Sequence, residues 1–351
     1  MSNDNSKENK VDKESSVNGK ENNEPATSIT SQTTDAKGDG VGGTSDSSDD
    51  IPNKTPKPES STQPQEEQDT NEAKDRLIQI KRQLKLREFC KKRKNQPPVT
   101  TAMKNLKDFH FIYSDKASTI YCYVPKVACT NWKRVFQVFD GKATDPLATG
   151  KKQKVHFLKY NTFNKLSLDD ISWRQNVYYS FLFVRHPFER VLSAYRNKFK
   201  DPYNTQYQKR YGAKVLRMFR ANLTEAEYKA GKNVTFPEFV QYIIKTHKTY
   251  GYYGLNEHWN SMQDLCHPCS IKYDFIGKMD SLVQDSETVL QEIGWDDRVK
   301  FPVKAKDKYK KDLSALVKDY YAQIPKQLMD ELYAIYKDDF DAFGYSTEGY
   351  L

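Results

Sequence analysis

Two stretches of this sequence set a basic side chain where an apolar run gives way to helical spacing, and such corners bind anions. The first is Pro125-Lys126-Val127-Ala128-Cys129-Thr130-Asn131, preceded by the β-branched and aromatic run from Ile120 to Val124. It is followed by apolar residues at helical spacing: Trp132, Val135, Phe136 and Phe139. A strand turning into a helix leaves unpaired backbone N–H groups and a positive dipole end at the turn, a site for phosphate or sulfate. Lys126 adds a full charge there, and Thr130 can cap the helix or meet an anion oxygen. The glycines of a nucleotide-binding P-loop are absent. In the second stretch, apolar Tyr179 to Val184 lead into Arg185-His186-Pro187-Phe188-Glu189-Arg190-Val191-Leu192-Ser193. Arg185 offers a planar fork to a phosphate and Ser193 one further hydrogen bond. Two such corners call for a ligand with phosphate-like groups at both ends.

The elements that must position these residues are legible. Each corner needs a strand ahead of it and a helix behind it. Pro187 suits a first helical turn, and Phe188, Val191, Leu192, Tyr195 and Phe199 form one apolar stripe with Arg190 and Ser193 off its centre. Phe109 to Tyr113 pairs with Ile120 to Val124 around Ser114-Asp115-Lys116, and Ile271 to Ile276 reads as a further strand. Thr235 with Glu238 is a capping box opening a helix from Phe236 to Lys245. Ser281 to Ile293 is an amphipathic helix closed by Gly294, and Pro325 to Phe340 is the last helix. Strands alternating with helices, with anions held at strand C-termini, define an α/β fold with an open, mostly parallel sheet flanked by helices.

The segments 125–134 and 184–199 resemble the 5′-phosphosulfate and 3′-phosphate motifs of the Golgi carbohydrate sulfotransferases, which use 3′-phosphoadenylyl sulfate (PAPS). Asn256-Glu257-His258-Trp259, Cys266-His267-Pro268-Cys269, Tyr273 to Lys278, and Tyr345-Ser346 with Tyr350-Leu351 are similar to the chondroitin and dermatan 4-O-sulfotransferase branch. The resemblance spans residues 106–351 and implies a P-loop-like sulfotransferase fold with a glycosaminoglycan acceptor and no metal. It implies that residues 125–131 hold the 5′-phosphosulfate, that Lys126 stabilises charge on the leaving oxygen, and that Arg185 and Ser193, within residues 185–193, hold the 3′-phosphate. His156, between the two motifs, is the first candidate for the general base, and His258 beside Glu257 competes with it. A glycan-binding protein with the same fold and no chemistry is the alternative. A nucleotide kinase would need a glycine-rich Walker loop, which is missing.

Composition divides the chain. Residues 1–75 carry 8 lysines and 17 acidic residues, a net −9 with no aromatic side chain, so they read as a disordered tail. The whole chain is +9, which leaves +18 on residues 76–351, a charge suited to polyanions. Nucleic acid is the rival partner, but no zinc-finger spacing or aromatic RNA-binding motif supports it. Residues 76–104 are a basic segment with interspersed leucines and isoleucines. It reads as a helix lying on an acidic surface or joining tail to domain, ended by Pro97-Pro98. The catalytic domain then occupies residues 105–351. No run of about 18 apolar residues marks a transmembrane helix, and the first thirty or so residues lack a signal-peptide core, a departure from the membrane-anchored family.

Five cysteines leave one unpaired: Cys266 and Cys269 can bridge each other or pair elsewhere among Cys90, Cys122 and Cys129. Zinc would need ligands beyond His267 and the two cysteines around it. Asn222 and Asn233 head N-glycosylation triplets.

Overall fold

The computed structural model describes residues 63–93, 110–150, 152–303 and 308–350. The disordered reading of residues 1–62 and the helix stop at Pro97-Pro98 lie outside them. Residues 63–75, by contrast, belong to helix α1 (Gln63–Lys92).

The sheet has five strands: β1 (Phe111–Ser114), β2 (Thr119–Cys122), β3 (Asn161–Thr162), β4 (Tyr179–Val184) and β5 (Phe275–Lys278), in the order β3-β1-β2-β4-β5. β2, β4 and β5 run parallel, with Cys122 beside Leu182 and Val184 beside Lys278. β1 is antiparallel to both neighbours, because a tight turn at residues 115–118 joins it to β2. The parallel half carries the site. Parallel strands need crossover connections, and each crossover here begins at one of the two basic corners. The strand predicted over 271–276 forms at Phe275–Lys278 instead, and Lys272 to Asp274 serve as its approach.

Helix α2 (Cys129–Phe139) follows β2, α3 (Leu168–Val177) precedes β4, and α4 (Pro187–Tyr195) follows it. The stripe of α2 packs on the sheet through Trp132, whose ring meets those of Tyr121, Phe181, Phe183 and Phe301. Burying one such aromatic removes 150–250 Å² from water, roughly 4–6 kcal/mol of apolar driving force before entropy is counted. α4 packs in a second cluster with α5 (Phe236–Tyr250), α7 (Lys308–Tyr321) and α8 (Lys326–Phe343), where Phe188, Tyr195, Phe239 and Tyr336 are buried. The Thr235–Glu238 capping box is present, and α5 runs past the predicted end to Tyr250. Gly277 on β5 is required by space: a Cβ there would stand 2.3 Å from the Phe183 ring.

α1 is neither a surface-lying nor a merely connecting helix over its described side chains. Gln79 accepts from Ile276 N–H and donates to Ile276 C=O, both at 3.2 Å, as a neighbouring strand would. Arg82 donates to Ile276 O and to Asp285 at 2.8 Å, and Leu86 is buried. Asp285 lies on α6 (Leu282–Glu292). Disulfides join Cys90 to Cys269 and Cys122 to Cys266, so the two neighbouring cysteines pair in different directions, while Cys129 stays reduced and buried.

Candidate active site

The β2–α2 corner is a strained turn. Lys126 has φ 74° and Ala128 φ 51°, left-handed values that are costly for residues with a Cβ. Two arginines from the other corner hold it. Arg190 Nε donates to Pro125 O at 2.9 Å, and Arg185 Nη1 reaches Lys126 O at 3.4 Å. A trans peptide points its N–H opposite its C=O, so drawing Pro125 O toward Arg190 turns the Lys126 N–H the other way. α2 begins at Ala128 with no side-chain cap, which leaves its first N–H groups to a ligand or water.

The β4–α4 corner is more deeply buried. Arg185 is held by Glu189 at 3.2 Å, one helical turn on. His186 Nε2 lies 2.9 Å from Ser346 O and its ring stacks on Tyr350 at 4.4 Å. Burial lowers the His186 pKa, and its Nδ1 is a buried atom without a partner. Because Nε2 donates to the Ser346 carbonyl and the ring is held neutral, Nδ1 carries a lone pair, so His186 orders the corner by packing and offers an anion no side-chain donor.

The predicted residues divide into three groups. Lys126, Thr130, Asn131, Arg185 and His186 come together at the adjacent C-terminal ends of β2 and β4. Val127, Phe188, Val191 and Leu192 are core side chains that can serve a ligand only through their backbone. Pro125, Pro187, Glu189 and Arg190 build the corners. Arg190 is only 1% exposed and donates to three carbonyls, Pro125 O, Asn260 O at 2.5 Å and Glu257 O at 2.8 Å. Ser193 is half-buried further along α4, and Cys129 is buried at the first position of α2. Asn131 donates to Pro302 O at 2.7 Å.

Two histidines reach this region. His156 is exposed and its Nε2 lies 3.0 Å from the Thr130 hydroxyl. His258 sits deeper. Asn256 Oδ1 accepts from the His258 backbone N–H at 3.1 Å and from ring Nδ1 at 2.8 Å, so the proton is on Nδ1 and Nε2 is the acceptor. Burial, then the charges of Lys198, Lys126, Arg190 and His156, hold the His258 pKa well below the ordinary imidazole value. Glu257 lies between His258 at 3.5 Å and His110 at 3.4 Å.

Residues 109–346 match the profile of the sulfotransferase family. The chain belongs to that family. Mouse carbohydrate sulfotransferase 11 is 43% identical over 244 residues, covering 69% of this chain and 68% of the relative. Zebrafish carbohydrate sulfotransferase 14 is 36% identical over 236 residues (67% and 62%), and human carbohydrate sulfotransferase 9 is 34% identical over 277 (77% and 60%). No solved structure matches the chain. As a sulfotransferase, this enzyme takes PAPS as its sulfate donor.

Sequence reasoning missed several contributors. Lys126 Nζ donates to Asn197 Oδ1 at 3.0 Å. Asn197 opens onto a π-helical turn, Arg196–Lys200, that directly continues α4. The neighbouring Lys198 is only 8% exposed and lies 3.8 Å from the Tyr207 ring centroid. A signal was present: Lys198 falls three residues after Tyr195, on the helix's apolar stripe, where a lysine is out of place. Lys133 is likewise buried, 3.5 Å from the Tyr123 ring, and burial lowers its pKa. Two arginines further along the chain serve the fold: Arg220 pairs with Glu238 at 2.6 Å and Arg217 with Glu225 at 2.6 Å.

Proposed function

We propose that this sulfotransferase moves sulfate from PAPS to a hydroxyl of a glycosaminoglycan, at position 4 of N-acetylgalactosamine in chondroitin or dermatan. The observation that carries the reading is the 3.4 Å contact between Arg185 and the Lys126 carbonyl, which sets two cationic corners side by side on neighbouring parallel strands. The uncapped start of α2 supplies a further place for anionic oxygens. Similarity to relatives named carbohydrate sulfotransferase supports the acceptor class, and the Asn256–Trp259 and Cys266–Cys269 segments support the 4-O branch.

PAPS supplies a sulfuryl group whose S–O bond to the 5′-phosphate breaks as the acceptor oxygen bonds to sulfur, releasing phosphoadenosine phosphate. Lys126 and the first N–H groups of α2 take up the charge that develops on the leaving oxygen; one such donor is worth about 10²–10³ in rate. Arg185 and Ser193 hold the 3′-phosphate. His258 Nε2 takes the hydroxyl proton, since its imidazole stays neutral near pH 7 and Asn256 fixes its tautomer. His156, bound to Thr130, stands at the phosphosulfate corner as the other candidate base.

The Golgi lumen fits two disulfides, which persist in oxidising compartments. Asn222 and Asn233 are exposed, as N-glycan acceptors must be. Among the described residues no helix is long and apolar enough to cross a membrane. Labelled-sulfate transfer onto a panel of desulfated glycosaminoglycans, followed by disaccharide analysis, tests the reading. Label at position 4 of N-acetylgalactosamine supports it; label elsewhere, or on none of the panel, overturns it.

A further inference from the structure

The π-helical turn after α4 delivers two consecutive residues to the transfer site. π-Turns are rare and are frequent at functional sites, because the extra residue re-aims the side chains that follow. Asn197 is the first of the two. Its Oδ1 accepts from Lys126 Nζ at 3.0 Å, while its own backbone carbonyl accepts from Asn204 Nδ2 at 2.8 Å. Asp201 Oδ2 accepts from Asn204 at 3.1 Å and from Asn197 Nδ2 at 3.4 Å, so the amide that meets Lys126 is fixed from behind.

Lys198 is the second. The residue is buried and its ammonium sits over the Tyr207 ring, whose hydroxyl is 3.4 Å from His258 Nδ1. Lys198 thus lies beside the proposed base, among the cations whose charges act on His258 together with Lys126.

We infer that Lys198 is a second cationic residue of the transfer site, donating to the sulfuryl oxygens, and that Asn197 positions Lys126 beside it. The inference rests on the proposed transfer chemistry and gives a role at the sulfuryl group to a residue near the end of the 184–199 segment, one helix beyond the β4–α4 corner. Lys126 then serves the bridging oxygen and Lys198 the oxygens that stay on sulfur.

The groups facing His258 are Lys198, Lys126, Arg190 and His156, all cationic or able to become so, with Glu257, Asn256 and Tyr207 around its Nδ1 side. Removing Lys198 takes away the first of the charges that depress its titration.

The test uses the full chain with Lys198→Met, Lys198→Arg and Asn197→Ala. Lys198→Met is expected to lower kcat by about 10²–10³. Calorimetric affinity for phosphoadenosine phosphate should stay within about threefold, the signature of an interaction made in the transition state only. Lys198→Arg recovers part of the loss, and Asn197→Ala lowers kcat with the same unchanged affinity. Histidine NMR, assigned with His258→Gln, should show the His258 titration moving to higher pH in Lys198→Met. Turnover within about threefold of wild type, or a loss matched by weaker nucleotide binding, overturns the inference. So does a His258 titration that does not move. That last readout needs no acceptor, so it separates failure of this inference from failure of the proposed acceptor. Should Lys198→Met melt early, Lys198→Gln repeats every arm with a polar tip over Tyr207.

Discussion

The two anion-binding corners share a plan and differ in how firmly they are held. At the β2–α2 corner Lys126 is half-exposed on a left-handed backbone, and its ammonium meets an amide oxygen from the π-turn. At the β4–α4 corner Arg185 is buried against Glu189, and His186 is clamped by Ser346 and Tyr350. A group that must follow charge from the ground state to the transition state gains from a partner it can leave. A group that only holds a phosphate gains from rigidity. On the proposed transfer chemistry, the difference assigns turnover to the first corner and donor affinity to the second.

The sharpest way to break that division is at the base. His258→Ala should lower kcat by about 10²–10⁴ with donor affinity retained, whereas the same change at exposed His156 should cost far less. Equal losses at both positions would undo the choice between them. The pH profile sharpens it. A base must be neutral, and the His258 pKa lies below 6.5, so activity should hold at neutral pH and fall only as pH drops through that lowered value. Protonation also favours the unfolded chain, whose histidines take up protons near 6.5 while the folded His258 resists, so stability should fall as pH drops from about 6.5 to that lowered value and level off below it.

Next in size, Lys126→Ala is expected to cut kcat by about 10²–10³ while calorimetry with phosphoadenosine phosphate changes little. Arg185→Ala should do the reverse, weakening that nucleotide by about 10- to 100-fold, the worth of a charge-assisted hydrogen bond or two. A pure kcat effect at Arg185 would erase the contrast. Smallest for turnover is the disulfide on the far side of the sheet. Cys269→Ser should leave rate constants near wild type yet cost about 2–5 kcal/mol in denaturant unfolding, because it releases a link across 179 residues.

Both corners were legible in the sequence because each is local: a buried strand, a basic residue, then an amphipathic helix. Arg190 was legible as a residue but not in its role. Its three acceptors are backbone carbonyls from 65 to 70 residues away, which no spacing reveals. The docking of α1 was hidden for the same reason. Gln79, Arg82 and Gln83 act on the backbone of Tyr273 to Ile276, and polar side chains at helical spacing read as a solvated face. The cysteine pairing was open because Cys266 and Cys269 are neighbours in the chain that point to different partners. β5 extends to Lys278 through Gly277, where a side chain would strike the Phe183 ring, and a glycine inside a strand is a weak strand signal in sequence.

The Gln79 amide has a consequence for the molecule among its copies. By occupying both hydrogen-bonding groups of Ile276 it denies the outer rim of β5 to any visiting strand, and the opposite rim, β3, is only two residues long. Unguarded rims are where sheets of separate molecules zip together. The sheet is thereby closed to accretion at its β5 rim and offers a visiting strand little length at β3.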